Sequence, residues 1–398
     1  MIKDCHIVCL AGCEWDFTWQ PTQEIMLRLA KAGNRVFYVE PTGTRSIRLT
    51  DWRRLFTRLR TKVAGIPRAE TLPSTLTIYA PLVLPFPHSR IALRINRWIM
   101  SLAIRRWLSG AVRPDLFWVY FPSPLNAELV QSGAARASVY QIMSSAEAAR
   151  PHPGIIAAND TLLAKCDLVF ANSRRLQEQA SRLNPHAFLF RAGVNLEVFA
   201  QSDTTGPARP RELEKLGGPL IGYVGALHQW VDVDLLQQVA KGMADCRFVL
   251  IGPLSRDISG LRTLPNVHWI GPKSHGEIPQ YVQHFDVCVI PYVRDAYTET
   301  AYPAKLNEYL ALGKPVVATL LPELVDYNKE YGEVLHLAGD APAFIKALRQ
   351  ALTETTAATR DRYRRVARQN SWAVRIEEMS RLVEDALFQP QTSNLDRR

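Results

Sequence analysis

The sequence predicts an α/β protein made of two doubly wound, parallel-sheet domains in series, Rossmann-like and facing each other across a cleft. Three observations carry this. The chain opens with strand His6–Gly12, helix Pro21–Gly33 and strand Arg35–Glu40, a β-loop-α-β unit whose crossover favours parallel pairing. The same alternation restarts after the polar stretch Ala200–Glu212, which holds one Gly and two Pro and reads as a linker. A third segment, 285–319, reads as strand, long loop, short helix and strand.

Length allows two domains, since 398 residues can bury two separate cores. A hydrophobic share of 47% with 22% charged residues suits a soluble globular chain, and no run of eighteen apolar residues offers a membrane-spanning helix. The first ten residues lack a signal-peptide layout, so the sequence predicts a cytoplasmic protein. Cys9, Cys166 and Cys288 lie in apolar runs, as reduced cysteines do. Cys5, Cys9 and Cys13 are evenly spaced, but a strand through Cys9 disfavours joint ligation, and no metal site is expected.

The strands expected next are Leu116–Phe121, Ser138–Met143 and Leu168–Ala171, with helices at Ile155–Lys165 and Arg174–Leu183 and a short strand opening Ala187–Val194. Beyond the linker come strands Leu220–Val224, Phe248–Gly252 and Val267–Ile270, with helices Val233–Ala244 and Ile278–His284. Strand Phe285–Tyr292 follows, then a helix with Pro303 in its first turn and Gly313 past its end. Strands Val316–Thr319 and Val334–Leu337 and helix Ala341–Leu352 complete the pattern. The expected domains are 1–200, 201–372 and a returning helix with tail, 373–398.

Charge is uneven. From Thr44 to Arg113 fourteen Lys or Arg face two acids, a local +12, so the rest of the chain carries 10 − 12 = −2. Helix Asp51–Arg60 would set Trp52, Leu55, Phe56 and Leu59 opposite its arginines. Helix Ile91–Leu108 would do the same with Leu93, Trp98, Ile99, Leu102 and Trp107. Basic amphipathic helices with Trp near the boundary suit an anionic membrane surface, and no nucleic-acid-binding motif accompanies them.

Lys305 and Glu308 stand one turn apart beside the Arg294–Tyr302 loop, at the carboxyl end of a strand, where open α/β sheets bind ligands. A cation and an acceptor there suit a phosphorylated sugar derivative; the plainer alternative is a surface ion pair. The first loop, Gly12–Gln20, has no Gly-x-Gly-x-x-Gly but places Glu14 and Asp16 among aromatics.

Several segments resemble the GT-B glycosyltransferases. Phe170-Ala-Asn-Ser-Arg-Arg-Leu176 and Arg191-Ala-Gly-Val-Asn-Leu-Glu-Val-Phe199 look like the segments that end the acceptor domain, and Ile221-Gly-Tyr-Val-Gly-Ala226 like the loop that opens the donor domain. Pro303-Ala-Lys-Leu-Asn-Glu-Tyr-Leu310 with Gly313-Lys-Pro-Val-Val-Ala318 resembles the donor segment and is the most specific part. Asn370-Ser-Trp372 matches the turn before a final helix that crosses back to the N-terminal domain. More loosely, the basic helices resemble those of the membrane-associated glucuronosyltransferases of xanthan assembly.

The resemblance implies transfer from a UDP- or GDP-linked sugar to a lipid-linked or polysaccharide acceptor at the cytoplasmic membrane face, with no cofactor and no metal. Glu308 would take the ribose hydroxyls. Lys305 and the N–H groups at Gly225 and Ala226 would meet the diphosphate, and Ile270–Gly271 the base. Tyr292, Thr300, Ala301 and Tyr302 would complete the donor pocket. Asp16 would be the catalytic base, with Glu14, Trp19, Ser144 and Glu147 around the acceptor; burial among aromatics would raise the Asp16 pKa. The chain departs from the pattern at Thr300, where a glutamate is common, at Ser144, where relatives have Asp, and after Gly225, where no Lys or Arg follows. An epimerase of the same fold and an inactive glycan-binding partner are the alternative readings.

Overall fold

A computed structural model describes residues 1–16, 19–41, 72–87, 89–146, 152–199 and 208–388. The expected helix Asp51–Arg60, most of the basic segment, Glu147 and most of the linker lie outside the described residues.

The chain divides into two compact units. One comprises Met1–Ala171, Leu176–Leu189 and Ile376–Arg398, and the other Asn172–Arg175 and Phe190–Arg375. The first is built on β1 (His6–Leu10), β2 (Arg35–Val39), β3 (Leu76–Tyr79), β4 (Leu116–Val119), β5 (Ala137–Ile142), β6 (Leu168–Ala171) and β7 (Ala187–Leu189). The order is β3-β2-β1-β4-β5-β6-β7, and every pairing is parallel. The second holds β8 (Leu220–Val224), β9 (Arg247–Ile251), β10 (Val267–Gly271), β11 (Val287–Ile290), β12 (Val316–Thr319) and β13 (His336–Ala338) in the order β10-β9-β8-β11-β12-β13, again parallel throughout. Strands covered on both faces need apolar residues at every position, which is why runs such as Leu-Phe-Trp-Val in β4 do not alternate.

Each sheet has one point where the winding reverses: between β1 and β4 in the first, between β8 and β11 in the second. Loops leaving the carboxyl ends of those strand pairs diverge and open a crevice, the expected ligand position in such sheets.

The structure adds elements that periodicity missed. β3 follows the basic segment, helix Pro124–Gln131 lies between β4 and β5, and helices Pro322–Tyr331 and Ala357–Gln369 flank β13 and Ala341–Glu354. The donor-segment helix runs Lys305–Ala311, two residues later than Pro303 suggested, because Pro303 accepts from the Leu306 N–H and closes a turn first. Residues 190–199 group with the second unit although they precede the linker, because Val194 pairs with Ser371. Here two quoted motifs meet: a Cβ on Gly193 would stand 2.9 Å from the Trp372 indole, so only glycine lets the ring lie against the backbone. The last helix, Trp372–Phe388, belongs to the first unit from Ile376 onward and buries Ile376, Met379 and Val383 there.

Helix Arg90–Leu108 differs from expectation in its orientation. Its buried face is Ala92, Asn96, Met100, Ile104 and Leu108, while Trp98 is 65% exposed. Trp107 belongs to the fold instead: its ring stacks on Phe37 at 5.1 Å, and the Arg35 guanidinium lies over it at 5.4 Å. All six cysteines are free thiols, and burial raises the Cys5 pKa to about 11. Among the described residues no three His, Cys, Asp or Glu side chains converge as metal ligands would.

Candidate functional site

At the winding reversal of the second sheet, Lys305 is held by two phenols. Its Nζ donates to Tyr223 Oη at 3.0 Å and Tyr292 Oη at 3.1 Å, and sits 4.2 and 5.1 Å from the two ring centroids. Tyr223 comes from β8, Tyr292 from just beyond β11, and Lys305 from the helix after β11, so the divergent strands each supply one member. Burial works to lower the ammonium pKa, but the two phenol oxygens outweigh it and hold the group above its usual range. The cation therefore persists at neutral pH. Burial pushes the Tyr223 phenol up to about 12, with Lys305 pulling the other way, so Tyr223 remains a neutral partner.

Gly225 makes room for this arrangement. Its φ is +138°, and a Cβ there would lie 2.6 Å from Lys305 Nζ and 3.2 Å from Tyr223 Oη. The ammonium thus lies against bare backbone at the end of β8. The Gly225 N–H donates to Ile251 O at 2.8 Å, extending the β8–β9 ladder. The expectation that this N–H faces a diphosphate is corrected: Gly225 accommodates the lysine and supplies no donor of its own. Tyr223 Oη closes the turn by donating to Ala226 O at 3.0 Å.

The helix carrying Lys305 is fixed along its length. Tyr309 Oη accepts from the Val224 N–H at 2.8 Å, Asn307 Nδ2 donates to Ala192 O at 2.9 Å, and Asn307 Oδ1 accepts from Tyr327 Oη at 2.8 Å. Gly313, at φ +67°, ends it with the Lys314 N–H bonded back to Tyr309 O. Glu308 is half-buried on the first turn of this helix.

The loops after β8 and β11 are zipped together. Val231 bridges Tyr292, the Val293 N–H donates to Trp230 O at 2.9 Å, and the Trp230 and Tyr297 rings stack at 3.9 Å. His228 stands in the same loop, its Nδ1 accepting from the Trp230 N–H at 3.2 Å. Burial first, and the Lys305 charge second, lower its pKa to about 4, so it is neutral at pH 7. Neither Tyr223 nor His228 was singled out by sequence. A strand tyrosine looks like core, and a lone loop histidine has no spacing to mark it.

Two expected pocket residues, Thr300 and Tyr302, are buried in the fold. The Thr300 hydroxyl donates to Tyr297 O at 2.8 Å, inside the short 3-10 turn Thr298–Thr300, and the residue is 6% exposed. Ala301 continues that turn, its N–H bonded to Thr298 O. Tyr302 is 4% exposed, its ring 6.0 Å from the guanidinium of buried Arg191, which itself binds Glu323 at 2.5 Å and Glu330 at 2.6 Å. Thr300 and Tyr302 therefore brace the loop rather than present their side chains to an open pocket. Glu299, one position before Thr300, pairs with Arg175 at 2.7 Å. Ile270 and Gly271 end β10; Gly271 O accepts from the Gly252 N–H, and the Trp269 indole N–H donates to Gly252 O at 2.9 Å.

The first sheet's reversal holds the loop with Glu14 and Asp16. Trp15 is buried edge-on to Tyr38 at 5.0 Å, its N–H bonded to Glu40 Oε1 at 3.1 Å. Tyr38 Oη donates to Cys13 O at 2.9 Å, and Gln23 Nε2 donates to Trp15 O at 3.3 Å. Trp19 donates its indole N–H to Glu24 at 2.8 Å. Glu14 and Asp16 are exposed, so the enclosure among aromatic rings expected for Asp16 is missing. Ser144 is half-buried just beyond β5.

Residues 218–354 match the family described as "Glycosyl transferases group 1". A putative teichuronic acid biosynthesis glycosyltransferase, TuaH of Bacillus subtilis, is 33% identical over 186 residues, which are 45% of this chain and 46% of that protein. The chain thus matches about half the length of this curated relative. Among solved structures, a sucrose-phosphate synthase from Thermosynechococcus elongatus superposes with a TM-score of 0.68 at 16% identity, over 96% of this chain and 98% of that one. Anabaena Alr3699/HepE, solved with UDP-glucose, gives 0.64 at 13% identity over 96% and 100%. The lysine, both tyrosines and the glycine all fall within the region, residues 218–354, that matches the group 1 glycosyl transferases, in a chain that shares its fold with these solved structures.

Proposed function

We propose that the protein is a glycosyltransferase that moves a hexosyl group from a nucleotide-diphosphate sugar, UDP- or GDP-linked, to a lipid-linked or polysaccharide acceptor at the cytoplasmic membrane face. The observation that carries the donor half is the Lys305 ammonium held between Tyr223 and Tyr292 at the winding reversal. Loss of a nucleoside diphosphate develops negative charge on its leaving oxygen, and a fixed cation there stabilises the transition state more than the ground state. On this reading the neutralising charge is a side chain, no metal is required, and Glu308 on the same helix accepts from the ribose hydroxyls. UDP-glucose in Alr3699/HepE, a protein of like fold, supports the donor class.

Asp16 is the proposed base for the acceptor hydroxyl, with Glu14, Trp19 and Ser144 as acceptor contacts. Exposed on the loop after β1, it is accessible to an incoming hydroxyl. Ser144, where the resemblance implies that Asp is frequent, favours as second reading a protein that binds sugar nucleotide without turnover.

The test is release of nucleoside diphosphate from a panel of UDP- and GDP-sugars, with lipid-linked acceptors added. Release by the wild type that falls sharply in Lys305→Ala supports the transferase. Binding without release supports the second reading, and neither binding nor release refutes both.

A further inference from the structure

Helix Arg90–Leu108 has two apolar faces. One, from Ala92 through Met100 to Leu108, is buried on its own sheet. On the opposite side, Ile91, Ile95 and Trp98 follow at helical spacing and are 74%, 41% and 65% exposed. A helix packed on a sheet ordinarily turns polar residues to water, so an apolar second face points to something that covers it. The preceding loop is held from the buried face, where Asn96 accepts from the Leu84 N–H at 2.7 Å and donates to Leu84 O at 2.9 Å.

The charge around these side chains has one sign. The helix carries Arg90, Arg94, Arg97, Arg105 and Arg106 and no acidic residue. At 100° per residue, Arg94 and Arg105 fall beside one edge of the exposed stripe and Arg106 beside the other. Arg97 lies farther round, near Glu128 at 3.7 Å. Insertable apolar side chains between cations, with an indole at the boundary, match a bilayer interface bearing anionic headgroups. A second copy of this chain would bring the same arginines against these. No described helix is long and apolar enough to cross a membrane.

We infer that Ile91, Ile95 and Trp98 insert into an anionic lipid surface, with Arg94, Arg105 and Arg106 binding its headgroups. This deepens the membrane-facing part of the function proposed above and rests on it only for the direction of the acceptor. Docking places the first unit on the lipid face.

The experiment is flotation of the full chain, without donor or acceptor, on vesicles of phosphatidylcholine alone or mixed with an equal share of phosphatidylglycerol. The wild type floats with the mixed vesicles and much less with phosphatidylcholine. Ile91→Ser/Ile95→Ser/Trp98→Ser lowers the bound fraction at least about tenfold, because the lost apolar contact acts directly on partitioning. Arg94→Glu/Arg105→Glu abolishes the preference for phosphatidylglycerol. Because these side chains face water, both variants keep the wild-type melting temperature and the wild-type release of nucleoside diphosphate from sugar nucleotide. Undiminished flotation of the serine variant overturns the inference. So does a wild type that fails to float, or one whose self-association in sedimentation is lost in that variant. None of these outcomes bears on sugar transfer, which the release assay reads separately.

Discussion

The two winding reversals are built from the same topology and finished differently. At the second, side chains from β8, from beyond β11 and from the following helix meet on one ammonium, and a bare backbone is kept clear for it. At the first, hydrogen bonds from Tyr38, Glu40 and Gln23 fix the backbone of the loop, while its carboxylates, Glu14 and Asp16, remain exposed. One crevice is preorganised down to its charge; the other has a fixed loop whose carboxyl groups are exposed. A diphosphate is the same in every nucleotide sugar, whereas acceptors vary, and the contrast suits those two tasks.

The contrast can be broken at its strongest point. Lys305→Ala is expected to lower turnover about 100- to 1,000-fold, the effect of removing one preorganised electrostatic group, measured as nucleoside diphosphate release. A loss of less than about threefold would place the leaving-group charge elsewhere. Asp16→Asn should cost about 100-fold, at the low end for a general base because the carboxylate is exposed, while Glu14→Gln changes the rate only slightly. Equal losses in both would mean that the loop binds acceptor by charge alone.

Gly225→Ala sharpens the comparison. The new methyl would push Lys305 Nζ from its place and strain a φ of +138°, costing about 1–3 kcal/mol of stability and roughly 10-fold in turnover or more. Gly12→Ala in the other loop, where a Cβ meets only Tyr120 at 3.6 Å, should do neither. Tyr292→Phe removes one acceptor of the ammonium and should lower turnover about five- to tenfold, near 1 kcal/mol.

The smallest effect is on pH. His228 has a folded pKa of about 4 against an ordinary value of 6.5. The unfolded chain therefore binds the extra proton between those values, so stability is full above pH 6.5 and declines as pH falls toward 4. Discounted for its partial exposure, the decline is about 1–2 kcal/mol. His228→Gln should flatten it in acid denaturation, and an unchanged slope would mean that burial and the Lys305 charge do not hold His228 neutral.

Much of this was legible in sequence, for physical reasons that differ by residue. Two-faced burial turns β4, β8 and β11 into continuous apolar runs, so strands and winding could be read directly. Lys305 stood out as a cation following a strand and loop, and Gly225 only through the resemblance of Ile221–Ala226 to the loop that opens a donor domain. Its role was not readable, because whether an N–H is already paired depends on the neighbouring strand. Tyr223 carried no mark, since alternating strand positions look alike until the partner helix is placed. Tyr302 and Thr300 look like pocket residues until Arg191 and the 3-10 turn claim them. In helix Arg90–Leu108 the sequence suggested one apolar face opposite the arginines, and only packing told Trp107, inside, from Trp98, outside.

The central claim is that Lys305 recognises the diphosphate. Calorimetric titration of UDP and of uridine, and of their guanosine counterparts, into wild type and Lys305→Ala tests it most directly. The account predicts that the variant loses at least about 30-fold in affinity for the diphosphate that the wild type binds, while its weak affinity for the nucleoside is unchanged. Equal binding of the diphosphate by both proteins would contradict it.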